Sequence, residues 1–252
     1  MDKQPVFFCV CSQKGGVGKS TFTILLANWL HYALGRDVLV VDCDAPQWSI
    51  VAQRERELDV LERNDRYKLM MVRLFKRTGR KIWPVVRSTP EEGLQAAHAY
   101  LAAGDREADF VLLDLPGTVA APGIFRLLAR LDHLFIPLKA DKLVLESALS
   151  FARAVDERLV HNDAHRLTGL HLFWTMVDRR ERTPLYESYG KAFAAFRLPV
   201  LQTQVPYRSR FSKEILDTSG AVGRSTLFPA DRAFAADAAL DALAAEILSL
   251  ME

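Results

Sequence analysis

The sequence predicts a doubly wound α/β fold, a mostly parallel sheet flanked by helices on both faces, formed as a single domain over residues 1–252. Short apolar runs of strand length recur at Val6–Cys11, Val38–Val41, Phe110–Leu115, Leu134–Leu138, Leu170–Val177 and Pro199–Val205. Most are apolar throughout rather than alternating, as strands buried on both faces are. Helix signals lie between them, so strand and helix alternate along the chain.

The first helix is marked by Phe22, Leu25, Leu26, Trp29, Leu30 and Ala33 on one face, with Gly35 as its stop. Thr89-Pro90-Glu91-Glu92 reads as a capping box with proline at the first helical position, and Gly104 closes that helix. Ala235, Ala238, Leu240, Leu243, Ile247 and Leu250 read as one closing helix within Asp231–Glu252. The segment from Gln53 to Arg87 is the least legible; its charges, Arg73, Lys76, Arg77, Arg80 and Lys81 among them, read as a solvated helical face.

Composition narrows the class. Of the 252 residues 50% are hydrophobic and 25% charged, ordinary for a globular chain with a large core. A net charge of +2 says little about partners, because a near-neutral total can hide a local basic patch. Cys9, Cys11 and Cys43 lie in or beside apolar runs without a Cys-x-x-Cys pair, the pattern of buried reduced thiols and not of a zinc or iron–sulfur ligand set. No run reaches the ~20 apolar residues of a membrane span, so a cytoplasmic protein is expected.

Lys14-Gly15-Gly16-Val17-Gly18-Lys19-Ser20-Thr21 follows the first strand and opens the first helix. In that setting the glycines let backbone N–H groups face an anion, and the helix N-terminus adds partial positive charge. Lys19 would reach the β- and γ-phosphates of a nucleotide, and the Ser20 hydroxyl would ligate Mg²⁺. The strict P-loop pattern wants glycine where Gln13 stands; this loop carries an extra lysine, Lys14, instead. Phe110–Leu115 holds Asp114 at its end, the Walker B form, in which the aspartate holds magnesium through water. Alone, a strand-end aspartate is usually a turn former; the loop upstream decides for the metal.

Lys14-Gly15-Gly16-Val17-Gly18-Lys19-Ser20 resembles the deviant Walker A signature of the ParA/MinD ATPases. The resemblance implies ATP and Mg²⁺ as cofactors and a P-loop NTPase fold. It also implies a role for Lys14 across a homodimer interface, on the nucleotide held by the other subunit. A second cation arriving only when the partner docks would tie hydrolysis to dimerisation. Lys14, Lys19 and Asp44 are then the catalytic set. Asp44 matches the switch aspartate that orients water, and Asp42 the aspartate beside the magnesium shell, in Asp42-Cys43-Asp44-Ala45-Pro46-Gln47; Ala45 is one residue more than the family pattern has before the proline. Gly117 would let the loop after Asp114 sense the γ-phosphate. Ile136-Pro137-Leu138 with Glu146 and the Thr175–Arg180 segment resemble later family segments, and Val205-Pro206-Tyr207 resembles the strand end beside the adenine. The aspartate loop with Ser49-Ile50 is most similar to the TraA proteins of Bacteroides-type conjugative elements.

Within such a family four branches compete. An iron–sulfur carrier needs cluster cysteines after Asp114, and none occurs there. A membrane positioner needs a basic amphipathic C-terminus, whereas Asp231–Glu252 holds five acidic residues against Arg232. A small-molecule ligase needs a substrate-binding extension for which the length leaves little room. The fourth is positioning of DNA-borne cargo. Arg179, Arg180 and Arg182, with Arg208, Arg210 and Lys213, are candidate contacts to DNA without sequence preference. The expectation is an ATP-dependent dimeric switch in plasmid partition or conjugation, associated with the nucleoid in its ATP state and stimulated by an unidentified protein. The alternative is a cytosolic switch that positions a protein complex without DNA.

Overall fold

A computed structural model describes residues 4–104, 107–117, 122–178, 180, 183–215 and 222–252. Its sheet holds β1 (Val6–Val10), β2 (Val38–Asp42), β3 (Val85–Arg87), β4 (Phe110–Asp114), β5 (His133–Leu138) and β6 (Gly169–Trp174), in the order β3-β2-β4-β1-β5-β6. Every pairing of these strands is parallel. The helices are α1 (Lys19–Asn28), α2 (Ser49–Arg63), α3 (Asp65–Thr78), α4 (Gly93–Ala102), α5 (Pro122–Leu128), α6 (Lys142–Val155), α7 (Leu185–Ala195), α8 (Arg232–Asp237) and α9 (Leu240–Met251). This is the doubly wound architecture that the apolar runs predict.

Successive strand residues face opposite layers. Leu39, Val41, Leu113 and Ile136 pack with Leu94, Leu127, Leu145 and Phe151 from α4, α5 and α6. Val38, Val40, Leu112 and Phe135 pack on the other face with Leu25 and Leu26 of α1 and Leu243 and Ile247 of α9. Cys9, Cys11 and Cys43 are buried free thiols, as expected.

Register sets the position of the site. β4 runs beside both β1 and β2 residue for residue, so Val10, Asp114 and Asp42 end level with one another. β1 lies where strand order turns from β2 and β4 on one side to β5 and β6 on the other. A crevice at the carboxyl end of such a switch point is where α/β sheets hold ligands.

Four local expectations are corrected. Pro199–Val205 forms no strand: it touches β6 through a bridge at Leu172 and Val200, and Val177 bridges Pro206 beyond it. Between these, the N–H groups of Gln202 and Thr203 turn to the Glu246 carboxylate at 2.6 and 2.9 Å and leave the ladder. The capping box does not form: Pro90–Glu92 make a turn, and α4 starts only at Gly93, packed so closely on β2 that a Cβ there would stand 2.7 Å from Cys43 Sγ. The closing helix is two helices, broken at Ala239 with φ 55°. The first helix widens into a π-type turn at Trp29–Ala33, which leaves Ala33 exposed.

The illegible segment becomes the α2–α3 pair and β3. Asn64 caps α3, its side chain accepting from the N–H groups of Arg66 and Tyr67. Arg73, Lys76 and Arg77 are exposed as expected, but Gln53 and Glu57 of α2 are buried. Gln53 Nε2 donates to Glu57 Oε1 at 2.9 Å. Glu57 Oε2 accepts from the Ser225 hydroxyl at 3.1 Å and from the Thr226 N–H and hydroxyl at 2.6 and 2.7 Å. This carboxylate fastens α2 to the segment before α8. Glu57→Ala would strand four buried donors and should cost about 2–4 kcal/mol of stability, read by urea unfolding.

Candidate nucleotide site

The loop after β1 folds as a phosphate cradle for reasons local to its residues. Gly16 and Gly18 have φ of 74° and 98°, the left-handed region open to glycine. Gly18 also passes so close to Phe22 that a Cβ there would stand 2.9 Å from its ring. Gly18 is the N-cap of α1 and offers no side-chain cap, so the first-turn N–H groups are free to meet an anion. Val17 is buried and anchors the loop, and Gln13 is tied to α6 by the Ser147 hydroxyl, which donates to its Oε1 at 3.0 Å.

The two lysines face different ways. Lys19 is half-buried, its Nζ donating to the Lys14 carbonyl at 3.4 Å across the loop. Lys14 is exposed on the outer rim. Gly117, just past β4, closes over this loop: a Cβ there would lie 3.4 Å from Lys19 Nζ and 3.9 Å from the Gly15 nitrogen.

Asp42 and Asp114 are both fully buried, but in different circumstances. Asp42 accepts from the N–H groups of Asp44, Ile50 and Val51 at 3.2, 2.9 and 3.0 Å, bonding the start of α2. Burial raises its pKa and these bonds oppose the rise. Neither Asp114 oxygen has a hydrogen-bond partner. Burial pushes Asp114 up to about 7; the nearby Ser20 hydroxyl and Lys19 pull the other way, and Asp42 and Asp44 add to the rise. A buried carboxyl so poorly supplied with donors has the chemistry of a cation ligand. Magnesium on nucleotide phosphates needs few protein ligands and keeps several waters, so Ser20 and Asp114 fit it. Among the described residues no group of three or more His, Cys, Asp or Glu could hold a metal alone.

Asp44 is half-buried at the mouth of the site. The additional residue Ala45 is taken up in a turn whose closing N–H groups, from Gln47 and Trp48, both donate to the Asp44 carbonyl at 2.8 Å. Trp48 has φ 39°, a strained value for a bulky side chain. It is held there by its indole N–H on the Ser88 carbonyl at 2.8 Å and by the Arg87 guanidinium 3.8 Å from its ring. Ser49 Oγ donates to Ser20 Oγ at 3.3 Å. Sequence reasoning misses Trp48 and Ser88, because each meets a partner some 40 residues away in the chain.

Other candidates lie elsewhere. Thr21 accepts a bond from Arg224 at 3.1 Å, and Arg224 is paired with Glu214 at 2.7 Å. Pro206 lines a cleft of about 620 Å³ with Val177, Tyr207 and Arg208. Glu146 is exposed and 3.8 Å from Lys142. Arg179 and Arg182 lie outside the described residues. The remaining arginines are not free charges: Arg180 pairs with Asp178 at 2.9 Å, Arg208 with Asp237 and Arg210 with Asp231. Among the described residues, no helix is long and apolar enough to cross a membrane.

A glycine cradle at the switch point of a parallel sheet, with a lysine inside it and a buried aspartate on the adjacent strand, defines a P-loop nucleotide-binding protein. The chain belongs to the CobQ/CobB/MinD/ParA nucleotide binding domain family, whose sequence profile matches residues 8–221. It is 28% identical over 222 residues to the chromosome-partitioning ATPase Soj of Thermus thermophilus, covering 73% of this chain and 86% of that protein. Its fold is similar to that of a putative plasmid partition protein of Borrelia burgdorferi bound to AMPPNP, with a TM-score of 0.58, 18% identity and 98% of each chain covered. It is also similar to pNOB8 ParA bound to nonspecific DNA, with a TM-score of 0.51, 18% identity, and 79% of this chain and 80% of the other covered.

Asp114 makes the protein's stability depend on pH when no cation is bound. Its carboxyl is neutral in both states below the ordinary carboxylate pKa and ionised in both above about 7, so folding loses stability as pH rises between them. Asp114→Asn removes that loss. Without nucleotide or divalent cation, the variant should gain on wild type from pH 4 to 8, on the order of 4 kcal/mol at most. Urea unfolding of both proteins across that range is the measurement, and a difference independent of pH is the contrary result.

Proposed function

We propose that this chain is an ATP-dependent dimerising switch of the ParA type, a deviant Walker A ATPase with weak basal turnover that a protein partner stimulates. One observation carries the reading: a single loop holds two lysines, with Lys19 turned across the cradle and Lys14 turned out to solvent. Lys19 serves the nucleotide of its own protomer. Lys14 is placed to reach that of a second copy, so the charge that stabilises the transition state arrives with the partner.

Each neighbouring residue has a part in this reading. The loop from Lys14 to Thr21 holds the phosphates of ATP, and Ser20 and Asp114 hold Mg²⁺, the aspartate through water. The metal would offset the cost of ionising Asp114 and neutralise charge on the phosphates. Asp42 fixes α2 beside the metal shell through its three backbone bonds. Asp44 orients water, in a turn that Trp48 pins to Ser88 and Arg87. Gly117 lets the loop after β4 approach the γ-phosphate, and Pro206 borders the base.

We assign the switch to plasmid or conjugative-element DNA, in partition or transfer, with the ATP state on the nucleoid. The aspartate loop supports the TraA-like branch, and partition proteins among the relatives support the cargo. The ion pairs of Arg180, Arg208 and Arg210 favour a second reading, a switch that positions a protein complex without DNA.

The test uses the Asp44→Ala protein, which should bind ATP and stall before hydrolysis. Light scattering with Mg²⁺ and ATP should give a dimer, and Lys14→Ala in that background a monomer. In the same samples, duplex DNA of unrelated sequences should bind the dimer alike, with steep salt dependence. A stable ATP dimer lacking Lys14 removes the cross-subunit role. A dimer indifferent to DNA selects the second reading.

A further inference from the structure

Away from the phosphate loop, α3 and the C-terminal helices enclose a groove of about 1290 Å³. Its floor is apolar, with Trp29, Tyr32, Met70 and Leu240 along it. Arg66, Arg73 and Arg77 line one wall, spaced i, i+7 and i+11 on α3, and Arg232 lines the other. These four arginines have no carboxylate partner among the described residues, and the three on α3 are exposed. The groove's own acids are engaged: Asp231 holds Arg210, and Asp241 accepts the Trp29 indole N–H at 3.1 Å. Arg80 is likewise spent on Asp37 at 2.8 Å and on the Gly35 carbonyl.

We propose that this groove docks an acidic amphipathic helix from a partner protein. The apolar floor asks for an apolar stripe, and the unpaired guanidiniums ask for carboxylates flanking it. The sizes agree. Arg66 to Arg77 spans about 16 Å of helix, and three turns of a helix about 10 Å across sweep roughly 1,300 Å³. A nucleic-acid backbone would satisfy the arginines but leave the floor wet. The groove is also bordered by Phe22 and Leu25 of α1, the helix that the phosphate loop opens, so an occupant would touch the element that holds the cradle. The inference rests on the groove's chemistry and stands apart from the nucleotide reading.

The probe is a labelled synthetic helix of ~18 residues with leucines at i, i+3, i+4 and i+7 and glutamates on both flanks. Its control carries lysine at every glutamate. Fluorescence anisotropy with the full chain should show saturable binding of the acidic peptide, about tenfold or more tighter than the control. Arg73→Glu with Arg77→Glu should weaken it about tenfold or more, and Arg232→Glu should weaken it from the opposite wall. Lys76→Glu, on α3 outside the groove, should leave it unchanged. Circular dichroism confirms that each variant folds. Absence of saturable binding, equal binding of the lysine peptide, or indifference to the Arg73 and Arg77 reversals overturns the proposal. So does duplex DNA that binds this chain and is lost on those same reversals, which gives the surface to nucleic acid.

Discussion

Asp114 is fully buried, neither of its oxygens receives a hydrogen bond, and its strand ends level with β1 and β2. A charge in that position costs several kcal/mol unless something of opposite sign approaches. The surroundings limit what can: Ser20 and Lys19 favour the charge, and Asp42 and Asp44 oppose it. The fold therefore carries an electrostatic demand that Lys19 meets only in part. The nearby cradle of backbone N–H groups suits phosphate, and a phosphate-bound cation would offset the cost of ionising this carboxylate. Phosphate loop and aspartate are two halves of one arrangement, joined by the register of three strands.

The contrast with Asp42 shows how two buried carboxylates of one sheet come to differ. Asp42 spends its oxygens on three N–H groups, two of them at the start of α2, and so fixes the helix that follows the Asp44 turn. That turn is tied by Trp48 to Ser88 and Arg87, at the end of the edge strand β3. Glu57, further along α2, binds the same helix to Ser225 and Thr226. A short turn is thus held between a helix and a strand end, with Asp44 half-buried in it.

Much of this is legible in the sequence where the interactions are local. The cradle is contiguous, its glycines serve backbone angles within the loop, and a strand-end aspartate is visible from the apolar run before it. Five of the six strands announce themselves as short, mostly apolar runs; β3 is three residues long and sits in a charged segment. Local signals fail where a distant group outbids them. Glu246 draws Gln202 and Thr203 off the sheet edge. Arg208 has no carboxylate beside it in the sequence, yet Asp237 reaches it from 29 residues away.

Whether Lys19 and the cradle hold the phosphates of ATP is decided by isothermal titration of Mg·ATP into wild type and Lys19→Ala. Wild type should bind one nucleotide per chain, and the variant should lose about 100-fold or more in affinity, as a phosphate-binding charge is removed from a partly buried site. Unchanged affinity in a folded Lys19→Ala protein would contradict that role.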